Sequence, residues 1–431
     1  MIRVAIVGAG PAGSALATFL ARRGADVTLF DDGRRPELLV GESLIPAVVP
    51  ILQRLGLEEA VATSGAHVKP GVTFVWSPTT RFSFSFARFA PSVFPYAYNI
   101  ARPQFDDAVV AKAVAAGVHR IVGRARLEPA DPGSAAGREL ILDRETLASA
   151  PTLRGAQPDL IVDATGRARH AARALGIGAQ LGPRKDVAHF AHFQNVRWEH
   201  PPGQVVIARG AAGWSWCIPL RDRLSVGIVL GQDDAAALGR TPEERLEHAI
   251  AKEAWLSEVV GEAKRVTGVA TYANYQLISE RGFGPGWVMV GDAFGFVDPM
   301  LSPGVFLALR SAELLAEGLT PFVESAAPPS SAALTAALRA YAGTQRRTLA
   351  AWLELVAYLY DGRLLALLEA GQDWVNGGSG VLKTAMQNHI ERHIALQATG
   401  TATTAWYSRA LLRLLSRYGM RGVQPAAHAI R

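Results

Sequence analysis

Residues 2–7 are an apolar run broken only by Arg3, residues 11–23 place Ala and Leu at helical spacing, and residues 25–31 return to an extended apolar run closed by Asp31. This pattern predicts strand, helix, strand, with both strands buried. Helical spacing recurs over 47–61 and 106–116, while 69–76, 118–127 and 159–162 read as strands. Residues 81–86 alternate Phe with Arg or Ser, the signature of a strand with one apolar face. From 187 to 269 the chain is mostly extended, at 203–209, 214–219 and 224–230, with one helix over 242–259. A buried strand at 286–290 precedes a helix over 305–318. A link rich in Pro, Ser and Ala at 324–334 then leads into a mostly helical tail over 334–418, broken near Gly371 and over 376–380.

Composition narrows the class. A chain of 431 residues, 49% hydrophobic and 19% charged, buries a large core and is neither disordered, collagen-like nor a repeat array. The apolar runs are interrupted well before the ~18 residues a spanning helix needs, and the N-terminus opens on a strand rather than a signal peptide. No membrane insertion is therefore expected. A lone cysteine, Cys217, forms no internal disulfide, so a cytoplasmic location is expected. The net charge of +6 is small for the length, and no stretch interleaves Lys/Arg with stacking aromatics, which argues against nucleic acid. No metal site is expected.

The first helix opens on Gly8-Ala9-Gly10-Pro11-Ala12-Gly13. In such a loop the first glycine permits the tight turn, the second lets a pyrophosphate approach the backbone, and the third permits close helix–strand contact. The helix start offers free N–H donors to phosphate, and Pro11 costs little there. Asp31, 18 residues beyond Gly13, can accept ribose hydroxyls. Gly176-Ile177-Gly178 and the 376–380 glycines follow no strand, so the chain carries one such loop. A second acid-bearing turn, Gly291-Asp292, returns some 280 residues later. One loop and a distant Gly-Asp turn suit a long cofactor, FAD rather than NAD.

At these residues the chain resembles the FAD-dependent aromatic hydroxylase superfamily and, within it, the flavin-dependent halogenases. Besides the loop and the Gly-Asp turn, the resemblance rests on Gly41-Glu42-Ser43-Leu44-Ile45-Pro46, on Gly213-Trp214-Ser215-Trp216-Cys217-Ile218-Pro219, and on Phe296 to Gly304 with Pro299, Ser302 and Gly304. It covers roughly residues 1–320. It implies an α/β fold: a discontinuous Rossmann-like FAD-binding domain (1–186 and 286–325), an inserted sheet-based substrate domain (187–285) and a helical C-terminal region (326–431). The cofactor contacts it implies are Gly8, Gly10, Ala12, Gly13, Asp31, Glu42, Ser43, Arg102, Gly291, Asp292 and Gly304. Arg102 could instead serve an ion pair with Asp106 or Asp107, and Ser43 a helix cap.

The resemblance also implies a chemistry. Reduced FAD reacts with O2 to a C4a-hydroperoxide, chloride or bromide attacks it, and hypohalous acid passes to a lysine that delivers halogen to an electron-rich ring. Lys69, just before Gly71-Val72-Thr73-Phe74-Val75-Trp76, matches that lysine. An ammonium can polarise HO–X and a buried neutral amine can be halogenated, while an ordinary exposed lysine at a strand start is the plain alternative. Trp214, Trp216 and Pro219 would partition flavin from substrate, or simply pack the core. Ser302 and Gly304 would hold the halide, but Pro303 removes one N–H from that loop. Residue 301 is Leu where tryptophan-acting members carry an acid, which points to a phenol or pyrrole. The alternative is a monooxygenase or dehydrogenase on the same scaffold, without halide; a flavoprotein with purely structural FAD is a third. With no second nucleotide motif, a separate flavin reductase or transient NADPH binding would supply electrons. Arg409, Arg413 and Arg417, at helical spacing, could dock an acidic carrier protein bearing the substrate, or could form a solvated helix face.

Overall fold

A computed structural model describes residues 2–77, 80–131, 137–273, 276–325, 330–376, 380–420 and 423–430. Two sheets and a helical layer organise it. The first sheet has six strands in the order Phe283–Gly284, Trp287–Met289, Leu160–Asp163, Arg3–Val7, Asp26–Asp31, His119–Val122. All neighbours are parallel except the Phe283–Gly284 edge. Parallel strands need cover; the helix Pro11–Ala21 packs on this sheet and the helix Gly304–Val323 packs against that helix, with residues such as Leu16, Leu20, Leu309 and Leu315 buried. The distant Gly286 segment enters beside Leu160–Asp163, with Ile161 facing Trp287, so pieces far apart in sequence share one sheet.

The second sheet has eight strands, with Asp186–Gln194, Leu224–Gly231, Gly213–Pro219 and Val205–Arg209 adjacent. Gly71–Val75 extends it in parallel with Val205–Arg209, and Arg81–Ser85 follows antiparallel. The sheet thus draws two strands from ahead of residue 187. Its alternation sorts the side chains: Trp214, Trp216, Ile218 and Phe190 join the main core, whereas Cys217, Val206, Val226 and Ile228 pack under the helices Pro242–Lys252 and Ala254–Val260.

Several local readings need correction. The helix expected over 47–61 is two, Val48–Leu55 and Glu58–Thr63, because Gly56 turns left-handed at φ +61° and ends the first. Residues 242–259 likewise split where Glu253 is extended. Pro70 separates His67–Lys69, which pairs with Ala97–Asn99, from Gly71–Val75. In the tail the break lies at Gly362, not Gly371: Gly362 has φ +80°, and a Cβ there would lie 2.1 Å from the Pro425 carbonyl oxygen. Gly371 instead continues the helix Arg363–Asn376 and lets the Gln387 side chain approach. Residues 326–329 of the expected link and 377–379 of the expected turn lie outside the described residues. Among those described, no helix is long and apolar enough to cross a membrane.

Candidate active site

Between the two sheets runs a cavity of about 610 Å3. One end is the glycine loop. Gly8 has φ +109°, and a Cβ on it would collide with the Ala164 carbonyl at 2.4 Å; a Cβ on Gly13 would sit 2.0 Å from the Gly8 carbonyl oxygen. Around Gly10, by contrast, a Cβ would meet nothing within 4 Å, so this residue faces open cavity. The helix behind begins at Pro11 with no side-chain cap, which leaves its first N–H groups for an anion. Asp31 lies at the same end, but one of its oxygens is engaged by Arg120 at 2.6 Å, a partner the sequence reading missed.

The middle of the cavity is charged. Arg102 makes a two-pronged pair with Asp106, 3.1 Å on each limb, and donates to the Val40 carbonyl at 2.6 Å. It therefore makes the expected local ion pair and also lines the cavity, where it clamps the segment entering Gly41. Opposite stands Asp292, which burial pushes up to about 6 against the pull of Arg102 and Arg167. Its neighbour Gly291 is left-handed at φ +62°, and a Cβ there would approach Ala12 Cβ to 2.8 Å.

The far end is aromatic. Trp214, Trp216, Phe190 and Phe296 line it; the two tryptophan rings lie 5.8 Å apart and Phe190 lies 5.6 Å from Trp216. Gly227 leaves room for Trp216, whose ring carbon would be 2.2 Å from a Cβ. Ile218 lines the cavity; Pro219, at the strand end, is buried but forms no part of that wall. Trp214 Nε1 donates to Tyr360 Oη at 3.0 Å, and Tyr360 donates to Asp298 at 3.2 Å. Burial raises Asp298 to about 7. Asp298 also accepts the Met300 N–H at 2.8 Å and so shapes the turn that follows. In that turn Leu301 and Ser302 are both left-handed, at φ +66° and +57°, a strain of roughly 1 kcal/mol or more each for residues with a Cβ. Pro303 then caps the helix Gly304–Val323, its carbonyl bonded to Leu307 N. Ser302, Gly304 and Val305 line the cavity here, so backbone donors at 304 and 305 follow the missing one at 303, while Ser302 N–H is spent on the Pro299 carbonyl.

A strap, residues 40–44, crosses the cavity. Ser43 caps no helix; its Oγ accepts from Lys69 Nζ at 2.9 Å, and the Leu44 carbonyl accepts from the same amine at 3.0 Å. Lys69 is 2% exposed, packs over the Phe86 ring at 5.6 Å, and is lowered by burial from 10.5 to about 7. The exposed-lysine alternative is thereby removed. Lys69 lines no part of the cavity wall; it lies behind the strap, bonded to cavity-lining Ser43, the residue that follows cavity-lining Glu42. Glu42 in turn meets His192 Nε2 at 2.9 Å, both buried. His192 was not singled out by sequence, although its two-residue spacing from Phe190 and Ala188 places it on the cavity-facing side of its strand.

The dimensions and donors fit FAD: glycine loop and helix N-terminus for the pyrophosphate, Asp31 toward ribose, Arg102 and Asp292 at mid-length, and an apolar aromatic end for the isoalloxazine. Comparison with known proteins agrees. The profile of the tryptophan halogenase family matches residues 3–93 and 88–333. Tryptophan 2-halogenase of Chondromyces crocatus is 30% identical over 368 residues, spanning 83% of this chain and 68% of that protein. A 1H-pyrrole-2-carbonyl (peptidyl-carrier protein) brominase of Pseudoalteromonas luteoviolacea is 26% identical over 336 residues, 74% of this chain and 78% of that one. Among solved structures, the myxobacterial chondrochloren halogenase superposes with a TM-score of 0.73 at 28% identity, covering 84% of this chain and 82% of its own. With a family profile spanning most of the chain and a cavity built for FAD, this protein belongs to the flavin-dependent halogenases, a family of FAD-dependent enzymes.

Proposed function

We propose that the protein halogenates an electron-rich aromatic of the phenol or pyrrole type, using O2 and chloride or bromide, with Lys69 as the residue that receives the oxidised halogen. When bound, the cofactor supplies the reducing electrons for O2 and hence the oxidant for halide. The chain supplies placement. The glycine loop, Asp31, Arg102 and Asp292 hold the cofactor, Trp214 and Trp216 wall its aromatic end, and Gly304 N–H with the Ser302 hydroxyl receives the halide.

The observation that carries this reading is the buried Lys69 amine held by Ser43 on the strap, on the side away from the cavity. There it can donate hydrogen bonds to HO–X or, as the neutral amine favoured by burial, be halogenated itself. Leu301 in place of an acid favours a ring that needs no base near its reacting carbon. The test is product mass with and without bromide: incorporation of bromine supports the proposal. Oxygen gain, or loss of two hydrogens, at equal rate without halide supports a monooxygenase or dehydrogenase, the reading that the N–H missing at Pro303 favours.

The pyrrole-carrier brominase among the relatives supports a carrier-tethered substrate. Arg409 and Arg413 are not spare for docking, since both pair with Glu354 of the long helix Ser331–Tyr360. Arg417 is the helix-face cation to test: R417E should slow turnover of carrier-bound substrate and leave free substrate unaffected. A separate flavin reductase and a cytoplasmic location complete the proposal. Cys217 is buried and its thiol is raised by burial, in keeping with a chain that uses no disulfide.

A further inference from the structure

We propose that His192 is the positioning residue of the strap: through Glu42 it sets where that carboxylate lies in the flavin cavity and, through the adjacent Ser43, where the Lys69 amine is held. This rests on the flavin reading above.

His192 lies on the same side of the strand Asp186–Gln194 as the cavity-lining Ala188 and Phe190, just beyond the wall they form. It reaches from the substrate sheet to the strap, whose backbone is held by residues 98–102. There Ile100 N–H bonds the Glu42 carbonyl at 2.8 Å, Leu44 N–H bonds the Tyr98 carbonyl at 2.8 Å, and Arg102 bonds the Val40 carbonyl at 2.6 Å. These contacts fix the strap backbone. What aims the Glu42 carboxylate is the imidazole, with Oε1 and Nε2 2.9 Å apart and the residues 3% and 2% exposed. An N···O contact of that length between buried groups carries a hydrogen, and with Glu42 as the carboxylate that hydrogen sits on Nε2.

Packing does not explain the imidazole. Among the described residues its Nδ1 is buried without a hydrogen-bonding partner, an unfavourable feature that a phenylalanine of similar shape would not bring. The residue is explained by the bond it makes. Glu42 and Ser43 are consecutive on the strap and both line the cavity, so a shift of the backbone at Glu42 carries Ser43 with it. His192 therefore bears on the Lys69 Nζ–Ser43 Oγ contact of 2.9 Å without touching either group.

The experiment is FAD titration into the cofactor-free full chain, followed by flavin fluorescence and visible absorbance, with thermal melting alongside. H192Q keeps an N–H at the reach of Nε2, whereas H192F keeps only the shape. H192Q is expected to bind FAD within about threefold of wild type. H192F should bind at least about tenfold more weakly, the size of a lost hydrogen bond to a buried charge, with an altered flavin absorption envelope. Wild-type affinity and spectrum for H192F, with weakening in H192Q, would overturn the proposal and leave His192 a packing residue. Should H192F not fold, E42Q/H192F, which buries no unpaired carboxylate, is compared with E42Q. Equal affinities support action through Glu42, and a further tenfold loss overturns it. Failure of the wild-type chain to take up FAD is a separate outcome that removes the flavin reading itself.

Discussion

At the scale of single residues, Lys69 carries the most consequence. Its native amine loses the proton near pH 7, whereas the unfolded chain keeps it to about 10.5. The unfolded state therefore binds more protons between those values, so native stability rises with pH across that window and the full cost of burying the ammonium is felt below it. K69M should accordingly gain most in melting temperature over wild type at pH 6 and least at pH 10. Activity reports the role: if the amine is itself halogenated, the rate of the halogenation step rises through pH 7, and if it donates hydrogen bonds to HO–X, the rate falls there. K69A should abolish halogenation, by at least about 100-fold, while FAD binding measured by fluorescence stays as in wild type. Lys69 stands out in the sequence because a motif surrounds it. His192 was not, since a lone histidine on an apolar strand reads as core until its partner is placed across the cavity.

Among the elements, the glycine loop separates two jobs that the motif alone treats together. A methyl on Gly13 meets the Gly8 carbonyl oxygen at 2.0 Å, whereas one on Gly10 meets only the cavity. G13A should lower the melting temperature sharply or prevent folding. G10A should melt like wild type and yet bind FAD at least about tenfold more weakly, because its methyl occupies the path of the pyrophosphate. The helices of the tail show the limit of periodicity. Gly362 and Gly371 look alike in sequence, but the first sits where the backbone of residues 425–429 crosses and the second where a neighbouring side chain lies. Nothing local distinguishes a glycine that ends a helix from one that admits a neighbour.

In the whole molecule, Asp298, Tyr360 and Trp214 join the loop before the helix Gly304–Val323, the end of the long C-terminal helix and the substrate sheet. Burial lets native Asp298 keep its proton to about pH 7, against about 3.8 when unfolded. Here the native state binds more protons, so this group's contribution falls as pH rises from 3.8 to 7. D298N should flatten that dependence in chemical denaturation. The C-terminal segment closes the molecule similarly: Trp76 Nε1 donates to the His428 carbonyl at 2.9 Å, and His428 bonds Glu369 at 2.7 Å. Removing residues 424–431 should leave the buried indole N–H unpaired, lowering stability by about 1–3 kcal/mol and shifting the tryptophan emission.

The sequence by itself determined the nucleotide loop, the order of strands and helices around it and the strap, and it singled out Lys69, because each depends on residues close together in the chain. Only the tertiary structure decided that Lys69 is buried behind the strap, that Arg102 serves both Asp106 and the cavity, that Arg409 and Arg413 are spent on Glu354, and that His192 meets Glu42 across 150 positions. Those outcomes depend on which surfaces the sheets, the strap and the tail helices bring together; even the Arg102–Asp106 pair, made within one helix, meets the cavity only through that assembly. Burial and partnership, which set charge state and aim, are properties of that meeting and of no segment alone.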